Sequence, residues 1–387
     1  MTKVLFFNYE YPPLGGGAGN ATYYILREFS KIPELKIDLV TSSTGAYKEE
    51  KIGENITIYY LPIGKKESNL HFQSQKDLLV YTWKAFWFSR KLIKKNKYSL
   101  THSFFTVPCG ALSWFFYKWN KIPYIVSLRG SDVPGYSERF SIIYKLITPF
   151  IKSIWRNSES VIANSSSFKE LALRVDSEKK IKVITNGVAL DEFKPKALKE
   201  EREESRNFKV LCGTRITPRK GFRFLIKAVK KLNDKNHKII LQIIGEGNEQ
   251  RKLENLVAEL DLKNEVEFIG VVKRNKISEY FSSARIFVST SLNEGMSNAM
   301  LEALASGLPI VATDTGGTAE MVKDGLNGFV IKMKDVQDTA DKIEKIILHE
   351  EMEKRMAKES RVLAESMSWK NVAKRYWKEY RGVKDHK

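Results

Sequence analysis

Several things are scarce in this 387-residue chain, and each scarcity removes a class of explanation. There are two cysteines, Cys109 and Cys212, far apart and in different predicted domains. They supply neither a disulfide framework nor a metal-ligand cluster, which fits a reducing compartment. No uninterrupted apolar run reaches the roughly 18 residues a membrane-spanning helix needs. The opening Met1-Thr-Lys-Val-Leu-Phe-Phe-Asn reads as a strand, and it lacks the apolar core and small-residue cleavage site of a signal peptide. No Asp-x-Asp pair stands at a predicted strand end to hold a metal ion. Acidic residues are absent between Asp77 and Asp132, an interval that holds nine basic ones.

That interval is rich in aromatics: Tyr81, Trp83, Phe86, Trp87, Phe88, Trp114, Phe115, Phe116, Tyr117 and Trp119. Residues 1–190 carry 27 Lys and Arg against 15 Asp and Glu, within a formal net charge of +19. Basic side chains interleaved with Trp and Phe suit an anionic lipid surface near residues 81–121. Nucleic acid is the competing partner, and a core helix with a solvated basic face is the simplest alternative.

Strand-like apolar runs alternate with helical patterns. One series begins at Val4-Leu-Phe-Phe and passes Ile37, Ile56, Leu100, Tyr124 and Ser160 to Lys182. A second begins at Lys209-Val-Leu-Cys-Gly and passes Ile239, Val266, Ile286 and Ile310 to Gly328. Helix-length gaps between the runs predict an α/β protein with two Rossmann-like, doubly wound parallel-sheet domains facing across a cleft. The charged, proline-containing stretch 191–207 reads as a linker between domains 1–190 and 208–365. Residues 366–387 read as a last helix, with aromatics at Trp369, Tyr376, Trp377 and Tyr380, packing back on the first domain.

Three stretches suit an anionic ligand beyond the carboxyl ends of strands. Gly15-Gly16-Gly17-Ala-Gly19 precedes a helix expected from about Asn20, and glycine lets backbone approach a phosphate. It is no dinucleotide fingerprint, since Asn20 stands where a third glycine belongs. Asp38 at the end of the second strand keeps a Rossmann oxidoreductase open as an alternative. Gly213-Thr-Arg215-Ile-Thr-Pro-Arg-Lys220-Gly221 offers a planar guanidinium and a point charge. A helix of about three turns is expected to start at Ser297, followed by Asn298 and Ala299. Glu294 lies just outside that start and Glu302 inside it. A helix N-terminus flanked by two carboxylates suits a diphosphate between sugar diols, which a nucleotide-sugar presents.

Glu294-Gly-Met-Ser-Asn-Ala-Met-Leu-Glu302 resembles the E-x7-E motif of the retaining glycosyltransferases of family 4, which have the two-domain GT-B fold. Four further segments resemble that family in order. They are Tyr11-Pro-Pro-Leu-Gly-Gly-Gly, Ile184-Thr-Asn186-Gly-Val188 through Pro195, Gly213 to Gly221, and Thr315-Gly-Gly317 through Glu320 with Asp324 to Gly328.

The resemblance implies that Glu294 binds the transferred sugar and Glu302 the ribose. It implies that Arg215 and Lys220 hold the diphosphate, making Arg215, Lys220 and Glu294 the catalytic set. Gly16, Gly17, Gly213, Gly245, Glu246, Ser297, Asn298, Ala299 and Glu302 would line the donor. Leu128-Arg129-Gly130-Ser131-Asp132 parallels a family element that often has histidine where Arg129 stands. Arg129 cannot shuttle a proton; with Asp132 and Asn186 it is expected to contact donor or acceptor.

The implied reaction moves a sugar from a UDP-sugar, or a GDP-sugar, to a glycan or lipid-linked acceptor. Such a step serves cell-surface polysaccharide, lipopolysaccharide or glycolipid synthesis. No cofactor or metal is expected, because cations already fill that role, and nucleic acid is not an expected partner. The expected place is the cytoplasm, peripheral to the membrane. A sugar-nucleotide epimerase of the same architecture is the nearer rival.

Overall fold

The computed structural model describes residues 1–65, 70, 73–130, 132–136, 141–195 and 207–383. The chain divides into two compact units, Met1–Asn186 with Trp369–Lys387, and Gly187–Ser368.

In the first unit the elements run β1 (Thr2–Phe7), α1 (Gly17–Phe29), β2 (Leu35–Ser43), β3 (Lys48–Ile52), β4 (Ile56–Pro62), α2 (Gln75–Lys95) and β5 (Leu100–Phe104). They continue with α3 (Ala111–Asn120), β6 (Tyr124–Ser127), α4 (Ser141–Arg156), β7 (Ser160–Ala163), α5 (Ser166–Val175) and β8 (Ile181–Val183). The sheet order is β3-β4-β2-β1-β5-β6-β7-β8. Every pairing is parallel except β3 on β4. β3 was not expected from the sequence, because Lys48-Glu-Glu-Lys-Ile lacks an apolar face. It survives as an edge strand whose charges stay in water.

The second unit runs β9 (Phe208–Gly213), α6 (Phe222–Asp234), β10 (Ile239–Ile244), α7 (Gln250–Glu259), β11 (Val266–Gly270), α8 (Arg274–Ser283) and β12 (Ile286–Ser289). Then follow α9 (Asn298–Ala305), β13 (Ile310–Thr313), α10 (Thr318–Met321), β14 (Gly328–Ile331), α11 (Val336–Ile347) and α12 (Glu350–Ser366). Its sheet, β11-β10-β9-β12-β13-β14, is parallel throughout. Parallel strands need both faces covered, hence the near-continuous burial of Ile239-Ile-Leu-Gln-Ile-Ile and Ile310-Val-Ala-Thr. One side is closed by α6, α7 and α11 through Leu225, Val229, Leu253, Ile343 and Ile346. The other is closed by α8 and α9 through Phe281, Met300, Leu301 and Leu304.

The division between units falls after Asn186 rather than at 190. Val188 donates to the Met367 carbonyl, and Phe193 is buried in the second unit's core, so these residues belong with that sheet. Most of the expected linker, 196–206, lies outside the described residues. The final helix α13 (Trp369–Gly382) belongs to the first unit, where Trp369 stacks on Tyr24 at 5.6 Å and Tyr376 and Tyr380 are buried.

Candidate active site

Because every strand of the second sheet runs the same way, the loops after β9, β10, β12 and β13 all emerge at one edge. These loops carry Gly213 to Gly221, Gly245 and Glu246, Glu294, and Gly316. Backbone hydrogen bonds lace the first two together: Ile216 N–H donates to the Glu246 carbonyl at 2.8 Å, and Glu249 N–H donates to the Ile216 carbonyl at 3.2 Å. Pro218-Arg-Lys220 forms one 3-10 turn, ended by Gly221 at φ +65°. A Cβ on Gly221 would collide with the Thr290 carbonyl, so glycine lets this turn press on the end of β12. Leu292 N–H then donates to the Arg219 carbonyl at 2.8 Å, which brings the neighbouring Lys220 side chain to Glu294. Gly316 serves the same end from the β13 loop, since a side chain there would strike the Glu294 carbonyl.

Lys220 is buried and its Nζ forms an ion pair with Glu294 Oε2. No acidic residue stands in the Gly213–Gly221 stretch itself; the fold supplies one from a different loop. Arg215 is exposed and makes no hydrogen bond or ion pair among the described residues. Glu246 is exposed, and Gly245 turns the chain at φ +120°.

Helix α9 spans Asn298–Ala305, shorter than the three turns expected, because Gly307 at φ +67° and Pro309 follow closely. Ser297 caps it, its hydroxyl accepting from Met300 N–H at 3.4 Å. Asn298 and Ala299 occupy the first turn and are half-buried. Glu302 projects from the same helix, 8% exposed, and its Oε1 accepts from Arg274 at 2.5 Å. Burial raises the Glu302 pKa above the usual carboxylate value, and the Arg274 cation opposes that shift. Each of the two motif glutamates thus holds its own cation.

The first unit's candidate residues behave differently. Helix α1 starts at Gly17 instead of near Asn20, with Gly16 as its cap. Glu10 Oε2 accepts from Gly16 N–H at 3.1 Å, so a carboxylate occupies one donor that the sequence reading reserved for a ligand. Asp38 lies within β2, buried, between Lys3 at 3.1 Å and the Tyr98 hydroxyl at 2.5 Å. It does not stand at a strand end as expected.

Asp132 is buried, which raises its pKa, but it accepts from the N–H groups of Thr106, Arg129 and Gly130 at 2.8–2.9 Å. Its carboxylate shapes the 129–132 turn; Ser131 lies outside the described residues. Arg129 lies over the Phe104 ring at 3.5 Å and donates to Asn186 Oδ1 at 2.8 Å and the Tyr376 hydroxyl at 2.9 Å. Beside it, His102 bonds the Tyr380 hydroxyl at 2.7 Å and the Ser127 hydroxyl at 2.8 Å. Burial, then the Arg129 charge, pushes the His102 pKa well below its ordinary value, so the ring stays neutral.

The family model for "Glycosyltransferase Family 4" matches residues 15–192, and that for "Glycosyl transferases group 1" matches 193–362. The chain belongs to the family 4 glycosyltransferases. It is 26% identical over 385 residues to an uncharacterized glycosyltransferase of Methanocaldococcus jannaschii, covering 100% of this chain and 99% of that one. It is 24% identical to the UDP-Gal:alpha-D-GlcNAc-diphosphoundecaprenol alpha-1,3-galactosyltransferase of Escherichia coli, covering 87% and 86% respectively. Among solved structures, the sucrose-phosphate synthase of Thermosynechococcus elongatus superposes with a TM-score of 0.84 at 20% identity, over 98% of both chains. That likeness is one of fold, and it makes this glycosyltransferase a GT-B protein.

Sequence reading missed Arg274, Glu10 and His102. Arg274 had one usable signal: with Lys273 and Lys276 it puts three cations at the start of α8, where the helix dipole disfavours them. Among the described residues, no three His, Cys, Asp or Glu side chains gather as a metal site, and no helix is long and apolar enough to cross a membrane.

Proposed function

We propose that this glycosyltransferase moves a sugar from a nucleoside-diphosphate donor, a UDP-sugar in preference to a GDP-sugar, with retention of anomeric configuration. The carrying observation is that Lys220 and Arg274 each hold one carboxylate of the E-x7-E pair at the carboxyl edge of a parallel sheet, beside the capped start of α9. Arg215, Lys220 and the α9 N-terminus bind the diphosphate, Glu294 the transferred sugar and Glu302 the ribose. As the glycosidic bond lengthens, negative charge builds on the distal phosphate. Preorganised cations stabilise that charge, each such donor contributing on the order of 10²–10³ in rate. The acceptor hydroxyl attacks from the leaving-group face and passes its proton to a phosphate oxygen, so no protein nucleophile is needed. The same cations do the work of a metal, and the reaction proceeds without one. In the first unit, Gly16 and Gly17 cover the donor, while Arg129, with Asn186 and Asp132 beside it, neutralises an anionic group on donor or acceptor.

The acceptor is a glycan or lipid-linked sugar in cell-surface polysaccharide, lipopolysaccharide or glycolipid synthesis. The Escherichia coli relative, by its name, acts on a diphosphoundecaprenol-linked sugar, which supports this reading. So does a chain of aromatic rings on the first unit: Trp83–Trp87, Trp87–Phe86, Phe86–Trp119 and Trp119–Phe115 have centroids 5.3–5.7 Å apart. Trp83 and Trp119 are 66% and 63% exposed, and Arg90 lies over Trp87 at 5.4 Å. Exposed aromatics flanked by cations fit an anionic membrane surface, where a cytoplasmic enzyme meets a lipid-linked acceptor.

The test is a panel of nucleotide-sugars scored by released nucleotide, with calorimetry of UDP and GDP. Release from a UDP-sugar without EDTA sensitivity is the expected result; protection by NAD alone would sink the proposal. Cosedimentation with phosphatidylglycerol vesicles, but not with phosphatidylcholine vesicles or DNA, tests the membrane surface.

A further inference from the structure

Arg274 occupies a place that local rules disfavour. It is the first residue of α8, where the dipole repels a cation, and Lys273 and Lys276 beside it add to the repulsion. What holds it is tertiary: the guanidinium lies over the buried ring of Phe193 at 4.9 Å. It pairs with Glu302 at 2.5 Å and with Glu192 at 3.5 Å. Local conflicts of this kind concentrate at functional sites.

Glu302 shows what the arrangement does. Arg274 takes Oε1, while Oε2 accepts no hydrogen bond among the described residues. The charged groups facing this carboxylate are Arg274 from α8 and Glu192 from the segment after the unit boundary. Burial and Glu192 both favour its neutral form, and Arg274 alone opposes them. A carboxylate with one oxygen anchored and the other open can accept from a ribose diol without first losing rotamer freedom.

We propose that Arg274 is a positioning residue, keeping Glu302 ionised and oriented so that nucleotide affinity is independent of pH through the neutral range. This rests on the reading of Glu302 as the ribose contact. Without Arg274, a buried carboxylate beside Glu192 takes up a proton nearer neutrality, and its open oxygen no longer accepts from the diol in a fixed direction.

The experiment compares wild type, Arg274→Met (which keeps the stem on Phe193), Arg274→Lys and Glu302→Gln by UDP and GDP calorimetry from pH 5.5 to 8.5. In parallel, the Glu302 carboxyl is titrated by carbon NMR without nucleotide. Arg274→Met should bind UDP about two- to fivefold more weakly at pH 6 and recover most of that loss by pH 8.5, with the Glu302 midpoint moved up by about one pH unit. Arg274→Lys should restore most of the affinity, and Arg274→Met combined with Glu302→Gln should bind no worse than Glu302→Gln alone. An unmoved midpoint, or additive losses in the double variant, would overturn the proposal. If wild type binds neither UDP nor GDP, the nucleotide-sugar reading falls, and the Glu302 midpoint alone then decides whether Arg274 controls that carboxylate.

Discussion

The two units share an architecture and differ in how they treat polar groups near the carboxyl ends of their strands. In the second unit those groups are ion pairs made across loops, Lys220 with Glu294 and Arg274 with Glu302. In the first they form a mostly neutral network, with His102, Ser127, Tyr376 and Tyr380 around Arg129. An ion pair made across two loops can exchange partners, so on the proposed reading its cation meets a phosphate and its anion a sugar hydroxyl. A buried network of neutral hydroxyls and an imidazole has no such freedom. Each member is costly to leave unsatisfied, and the whole ties α13 to β5 and β6. The same fold carries ion pairs between loops in one unit and a hydrogen-bonded lock in the other.

The sharpest way to break this comparison is Lys220→Ala. On the proposed reading it removes the buried cation that meets the diphosphate, and it takes from Glu294 its ion-pair partner, so turnover should fall by about 10²–10³. Arg215→Ala should cost at least about tenfold on the same physical ground, with the far-ultraviolet spectrum unchanged in both. Near-normal turnover in both purified variants would refute the catalytic set. Glu302→Ala should weaken nucleotide binding by about 1–3 kcal/mol through the lost charged acceptor, read by calorimetry.

In the first unit, Tyr380→Phe should behave in the opposite manner. It leaves His102 Nδ1 without its buried partner and should cost about 1–3 kcal/mol in denaturant unfolding, while the affinity for UDP stays the same. Weaker binding with unchanged stability would show that the network belongs to the site.

The smallest expected effect is a pH dependence of opposite sign in the two units. The His102 pKa is lowered by folding, so the unfolded chain binds more protons and stability falls as pH drops below about 6.5. The Glu302 pKa is raised, so its contribution is greatest in acid and declines as pH rises from about 4.5 through the folded value. Thermal unfolding of His102→Gln should show a flatter profile between about pH 5 and 6.5, and Glu302→Gln a flatter one above about pH 4.5. Slopes identical to wild type in both would remove this part of the contrast.

Much of the fold was legible because a parallel sheet buries both faces of its strands. Runs such as Ile239-Ile-Leu-Gln-Ile-Ile therefore announce themselves, whereas the charged edge strand at Lys48 did not. Helix ends were less legible: α1 begins at Gly17 because glycine is tolerated at a cap, and α9 stops early at Gly307.

The sequence by itself determined the alternation of strands and helices, the glycine turns, and the spacing that puts Glu294 and Glu302 on either side of a helix start. Local rules suffice there, since turn geometry and helix periodicity act over a few residues. Only the tertiary structure decided that Lys220 meets Glu294, that Arg274 meets Glu302, and that His102 is locked to α13. Those partners are separated by 74, 28 and 278 positions. Charge attraction and burial act through space, and no local pattern records which distant loop will arrive at the same sheet edge.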